Sequence, residues 1–172
     1  MSGDEIVAGV VAYYSRTGKT RFVAQQLAKA LGCRAVEISD LKKRTGPIAY
    51  MRAARDARGK KRTKIEPKTI DTKGYNLICL GTPVWWSYPT PAIMTLLDNL
   101  DIKGKDVVIF ATADSTPELA IDILKKRVEE KGGTIVGSFF CLKGSDEERI
   151  KAVQDFVKRF RKQPRSQKKV IT

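Results

Sequence analysis

The sequence predicts an α/β domain whose parallel β-sheet is covered by helices on both faces, and three observations lead there. Strand-like and helix-like stretches alternate along the chain. The first strand-like stretch, Ile6–Tyr14, is an unbroken apolar run rich in valine, suited to a strand buried on both sides. A short polar turn, Ser15-Arg-Thr-Gly-Lys-Thr20, then leads directly into a helical stripe.

The elements follow in order. Phe22, Val23, Leu27, Ala30 and Leu31 recur at three and four residues and predict the first helix. Arg34–Ile38 reads as a second strand, and 46–59 supplies a charged helix before the third strand, Tyr75–Gly81. Pro91 suits the first turn of a helix running to Leu100. Asp106–Thr112 reads as the fourth strand. The next helix is predicted to start near Ser115–Glu118, capped by Ser115 or Thr116, and to end at Gly132-Gly133. A fifth strand covers Thr134–Phe140. Ser145 and Glu148 form a capping-box pattern ahead of the stripe Ile150, Val153, Phe156, Val157 and Phe160. The reading is one domain over 1–162 with a basic, disordered tail over 163–172.

Composition narrows the chemistry. The chain has no histidine, which removes Ser-His-Asp and Cys-His machinery and the commonest transition-metal ligand. Cys33, Cys79 and Cys141 are widely spaced with no CxxC, so they read as reduced core or strand-end residues and no metal is expected. No apolar run approaches the roughly 20 residues of a membrane helix, and the acidic N-terminus lacks the basic start of a signal peptide. The expected location is the cytoplasm.

The net charge of +14 is concentrated in two segments. Residues 42–73 carry twelve Lys/Arg against Asp56, Glu66 and Asp71, or +9, and 158–172 carry +7 with no acid, leaving the remainder at −2. These segments are either a solvated surface or the docking site of an acidic partner.

Chemistry concentrates in three turns that follow strands. In Ser15–Thr20, small hydroxyl residues and a glycine stand where a helix begins, so unpaired amides, the helix dipole and hydroxyl donors make an anion cradle. The triphosphate-binding Walker pattern fails, because the position five before Gly18 is Tyr13, and GxGxxG is absent. The second turn, Gly81-Thr-Pro-Val-Trp-Trp-Ser-Tyr-Pro-Thr-Pro91, places two tryptophans and Tyr88 in a proline-flanked loop. Such aromatics suit a planar ring stacked beside the anion site, or pack on the helix from Pro91, or form a homo-oligomer interface. The third turn, Thr112–Pro117, brings further hydroxyls to the same end of the sheet.

Together these residues resemble the flavodoxin family and its relatives, including the NAD(P)H:quinone reductases, over residues 5 to 160. Ser15–Thr20 is similar to the family's S/T-x-T-G-x-T phosphate loop, Gly81–Trp86 to its ring-contacting loop, and Thr112–Pro117 takes the place of its third loop. The resemblance implies a flavodoxin-like three-layer sandwich, with a five-stranded parallel sheet in order 2-1-3-4-5 and FMN at the switch point between strands one and three. It implies that Ser15, Arg16, Thr17, Gly18, Lys19 and Thr20 hold the phosphate. Thr82, Pro83, Val84, Trp85, Trp86 and Ser87 would then line the isoalloxazine, with Thr112, Ala113, Asp114 and Ser115 along its other edge.

Three departures stand out. The third loop has no aromatic to cover the outer ring face, no glycine follows Val84 to ease a backbone flip, and the chain is basic where flavodoxins are usually acidic. The implied function is electron transfer, or NAD(P)H-dependent reduction of a small acceptor such as a quinone, with NAD(P)H or a redox protein as partner and no assigned catalytic side chain. The alternative is a flavodoxin-like scaffold serving as a non-enzymatic binding module for nucleic acid or an anionic surface. A bound flavin's colour separates the two.

Overall fold

The computed structural model describes residues 8–42, 46–59 and 61–163. Five parallel strands form the sheet: β1 (Gly9–Tyr14), β2 (Arg34–Asp40), β4 (Leu77–Trp85), β6 (Asp106–Thr112) and β7 (Thr134–Cys141). Two further strands of two residues each, β3 (Ile65–Glu66) and β5 (Tyr88–Pro89), complete it. The helices are α1 (Lys19–Leu31), α2 (Pro47–Arg58), α3 (Pro91–Asn99), α4 (Glu118–Glu130) and α5 (Asp146–Lys162).

Among the parallel strands the order is β2-β1-β4-β6-β7, which is the expected 2-1-3-4-5 arrangement of a flavodoxin-like sandwich. The sheet has seven strands rather than five, because β3 adds antiparallel to β2 and β5 folds antiparallel onto β4. Every residue of β1 is buried, as its apolar run requires. Alternation along β1 then assigns the two faces. Val10 and Ala12 join Ile78, Leu80, Ile93, Leu97 and Leu124 beneath α3 and α4. Val11 and Tyr13 join Val23, Leu27, Phe110, Phe139 and Phe156 beneath α1 and α5. Removing a fully enclosed side chain such as Leu27, which has no exposed area, would cost about 2–5 kcal/mol.

Local signals explain most element ends. Gly32, at φ 68°, closes α1, a conformation that glycine adopts without strain. Thr90 caps α3, accepting from Ile93 N–H, with Pro91 in the first turn. The capping box of α5 is complete: Ser145 Oγ accepts from Glu148 N–H, and Glu148 Oε2 accepts from Ser145 N–H at 2.7 Å.

Several expectations need correction. Helix α4 starts only after Pro117 and no side chain caps it, so Ser115 and Thr116 stay in the turn. The third predicted strand does not stop at Gly81 but runs to Trp85, because β5 supplies ladder partners for Val84 and Trp85. Helix α5 runs to Lys162, and the expected tail over 163–172 lies outside the described residues beyond Gln163. Ile6 and Val7 lie outside them too. All three cysteines are free thiols; Cys79 and Cys141 are buried, and burial pushes the Cys141 thiol up to about 11. Among the described residues, no helix is long and apolar enough to cross a membrane.

Asp98 in α3 ties three segments together. Its carboxylate accepts from Arg62 and, at 2.9 Å, from Arg127 of α4, while its carbonyl accepts from Lys131. Partial burial would raise its pKa, but the two guanidinium groups override that and hold it below the usual carboxylate range. Because the folded value lies below the unfolded one, the contribution is fully present above the unfolded value of about 4 and is lost as pH falls through the folded value. Asp98→Ala is expected to cost about 1 kcal/mol at pH 7, a modest figure because the arginines remain partly hydrated. Urea unfolding of both proteins should show the difference shrinking below pH 4.

Candidate functional site

The site is built where the chain leaves the carboxyl ends of β1, β4 and β6. From β1 the chain turns into α1 on one face of the sheet, and from β4 it continues through β5 into α3 on the other. Adjacent strands whose connections diverge in this way open a crevice between them.

The first wall of the crevice is Ser15–Thr20. Gly18 takes φ 91°, in the left-handed region, and donates its N–H to Ser15 Oγ at 3.1 Å. Among the described residues no side chain caps α1. The amides of Lys19, Thr20 and Arg21 therefore point out of the helix start without intrahelical partners, and a Cβ on Gly18 would meet nothing within 4 Å. An uncapped helix start behind an open turn is a cradle shaped for a dianion. Arg16, Thr17 and Lys19 are exposed around it.

The third loop touches this wall directly. Thr20 and Thr112, at 1% and 6% exposure, pair their hydroxyls at 2.8 Å. Lys19 Nζ reaches Asp114 at 3.3 Å. Two consequences follow. A hydroxyl has one hydrogen, so when Thr112 donates to Thr20, the Thr20 hydrogen is free to point into the cradle. And Asp114 offsets much of the Lys19 charge that the sequence assigns to an anion, so the amides and hydroxyls matter more than that lysine. Ala113 N–H is bonded to the Cys141 carbonyl, while Ser115 is exposed.

The second loop is a hairpin rather than an open coil. Val84 pairs with Pro89 and Trp85 with Tyr88, and Trp86 and Ser87 form the tip at φ 50° and 67°. Both non-glycine residues therefore hold positive φ, as two-residue hairpins of this hand require. The tryptophans part company. Trp85 is buried and meets Tyr14 edge to face at a centroid distance of 5.9 Å, so its ring does have a core to join. Trp86 is 60% exposed at the tip. Thr82 is fully buried, its hydroxyl 3.1 Å from that of Thr90 and accepting from Thr90 N–H, which pins the base of the hairpin. Pro83, Val84 and Ser87 are half-buried along its length.

The structure thus brings Ser15–Thr20 and Thr112–Asp114 into one contact and sets the Val84–Ser87 hairpin on the neighbouring strand. It turns the side chains of Thr82 and Trp85 inward. Sequence reasoning missed Tyr14 and Thr90, which shape the hairpin from beneath; the Thr-Pro pair of Thr90-Pro91, a cap followed by a first-turn proline, was the available signal for Thr90. Tyr13, just inside the strand end, is pushed up to about 12 by burial and by Glu37, so it stays protonated.

Residues 8–136 match the Flavodoxin family, and the chain belongs to that family. A chain from Bacteroides uniformis classed as a flavoprotein is similar at 26% identity and TM-score 0.75, over 86% of this chain and 98% of that one. A Lactobacillus acidophilus flavoprotein, solved in complex with FMN, has 22% identity and TM-score 0.65, with 85% and 98% covered. Flavodoxin 2 from Bacillus cereus has 19% identity and TM-score 0.58, with 90% and 98% covered. At these lower identities the likeness is one of fold. Family and fold together make the cofactor FMN, and the uncapped, open start of α1 fits its phosphate.

Proposed function

We propose that the protein is an FMN-dependent redox carrier or reductase, passing electrons or hydride between NAD(P)H or a redox protein and an acceptor such as a quinone. The uncapped start of α1 carries the cofactor part of this reading, because among the described residues nothing satisfies the amides of Lys19, Thr20 and Arg21. Bound FMN would supply the electron-accepting ring, and the protein supplies position and electrostatics.

In this reading Ser15, Arg16, Thr17, Gly18, Lys19 and Thr20 hold the phosphate. Thr82 and Pro83 fix the hairpin base, while Val84, Trp86 and Ser87, with the backbone of Trp85, line the ring. Thr112, Ala113, Asp114 and Ser115 close the far edge, Thr112 through Thr20 and Asp114 through Lys19. The third loop offers no aromatic between Thr112 and Pro117, so one ring face is left approachable by a nicotinamide or a quinone. That favours a reductase over a carrier whose flavin is shielded on both faces. The hairpin ladder at Trp85 and Tyr88 resists rearrangement of the ring loop.

The test is a visible spectrum of the purified protein, followed by anaerobic additions of NADH and NADPH. A yellow protein that bleaches with either nucleotide supports the reductase. A yellow protein inert to both supports the carrier. A colourless protein that takes up no added FMN removes the reading.

A further inference from the structure

We propose that the face formed by α2 and the tip of the β4–β5 hairpin is the docking surface for an acidic electron-transfer protein. The proposal rests on the redox reading above and names the partner for that same site.

Helix α2 presents one continuous exposed line. Ile48, Met51, Arg52 and Arg55 stand at i, i+3, i+4 and i+7, which superimposes them along one side of a helix, and exposed Arg58 extends it. Ile48 and Met51 are each 67% exposed, a poor use of large aliphatic side chains on a free surface. The helix's one carboxylate, Asp56, is buried, with its oxygens facing Lys42 Nζ at 2.8 Å and Lys61 Nζ at 3.5 Å. Just off the helix, Asp40 is likewise occupied, by the Thr63 hydroxyl and by Lys42 N–H. Exposed Leu41, Lys42 and Lys64 border the line, with Leu41 N–H bonded to the Lys64 carbonyl.

An aliphatic centre ringed by arginines and lysines is the anatomy of a protein interface with a positive rim. A nucleic acid would use the cations and leave the aliphatics in water. Position then selects among acidic partners. Helix α2 packs against the β4–β5 hairpin, whose tip carries exposed Trp86 beside the crevice that takes the flavin ring. A protein seated here brings its redox group close to that ring, and the rim charges set its orientation and speed its arrival. Each encounter passes one electron: the reduced flavoprotein is oxidised by one electron and the partner's metal centre is reduced by one.

The experiment follows anaerobic oxidation of the FMN-loaded, pre-reduced protein in a stopped-flow instrument. Acidic plastocyanin and basic cytochrome c serve as one-electron acceptors, and uncharged benzoquinone reports the flavin alone. The expected result is a second-order rate with plastocyanin at least tenfold above that with cytochrome c at low salt, converging as salt rises. R52E/R55E should lower the plastocyanin rate at least tenfold. K151E/K158E makes the same change in net charge on exposed positions of α5, across the sheet, and should lower it less than twofold. I48S/M51S should lower it without changing the salt slope. Benzoquinone rates should stay within twofold throughout.

Equal effects of the two charge reversals would overturn the proposal in favour of net charge alone. So would a faster reaction with cytochrome c. So would an R52E/R55E protein that keeps its plastocyanin rate but loses binding to phosphatidylserine vesicles or duplex RNA. Failure to reduce benzoquinone would instead strike the redox reading itself.

Discussion

Riboflavin is expected to bind about a thousandfold more weakly than FMN. The two ligands differ only in the phosphate, and in the proposed reading the phosphate alone reaches the start of α1. There the amides of Lys19, Thr20 and Arg21 lack intrahelical partners, exposed Thr17 precedes them in the turn, and the Thr20 hydroxyl is held by Thr112. Hydrogen bonds to a charged acceptor contribute about 1.5–3 kcal/mol each, so two or three of them give about 4 kcal/mol, which is about three orders of magnitude in Kd. Lys19 adds less than its charge suggests, since Asp114 lies 3.3 Å away. Thr17→Ala should therefore weaken FMN about tenfold, and Thr112→Val by a similar factor, because it removes the partner that orients the Thr20 hydroxyl. Thr112→Ser keeps that partner and should restore the affinity. Quenching of flavin fluorescence on titration measures all of these. Equal affinities for the two flavins would end the assignment of Ser15–Thr20 to the phosphate, and unchanged riboflavin binding in Thr112→Val would confine the effect to it.

Much of this site was legible in the sequence, for identifiable reasons. The Ser15–Thr20 turn is local: a strand, a glycine and a helix start suffice to define it, and the structure places it at the mouth of the crevice. Sheet order was legible only through the resemblance, because alternation of strands and helices fixes a parallel sheet but not which strands are neighbours. The hairpin was not legible. Val84–Pro89 contains three bulky aromatics and a proline, which read as loop, and its pairing depends on Trp86 and Ser87 accepting positive φ without a glycine. What sustains that turn is non-local: Trp85 locks against Tyr14, and Thr82 locks against Thr90. The contact between Thr20 and Thr112 spans 92 residues and leaves no trace in either local pattern. The charge excess of 42–73 was plain from composition, but its arrangement was not. Lys42, Lys61 and Arg62 are drawn into ion pairs with Asp56 and Asp98, and the three arginines of α2 are left on an exposed line.

Gly81→Ala is expected to destabilise the protein by about 3 kcal/mol. Gly81 lies in the middle of the sheet, paired with Tyr13 on β1 and Phe110 on β6. A Cβ there would sit 2.1 Å from Phe110 Cζ and 2.5 Å from its Cε2, well inside contact distance. The ring has nowhere to retreat. Phe110 is fully buried and stacks on Phe139 at 5.7 Å, which stacks on Phe156 at 4.6 Å, which meets Phe160 at 5.7 Å. Relief must come from shifting this column, with α5 on top of it, or from displacing the backbone of β4. Overpacking of this kind costs about 1–3 kcal/mol and more where the neighbours are interlocked. In a domain of this size 3 kcal/mol lowers Tm by about 6–12 °C. Displacement of β4 would also carry Thr82 and the hairpin with it, so FMN affinity should fall together with stability. The double variant Gly81→Ala/Phe110→Leu isolates the cause. Phe110→Leu alone loses ring burial and costs about 1–3 kcal/mol, yet in the Gly81→Ala background it removes the clash, so the pair should be more stable than the sum of the single changes predicts. Urea unfolding of the four proteins gives the coupling energy. A Gly81→Ala protein within about 0.5 kcal/mol of the parent, or strict additivity in the cycle, would mean that the ring column over Gly81 is not the constraint that keeps this position a glycine.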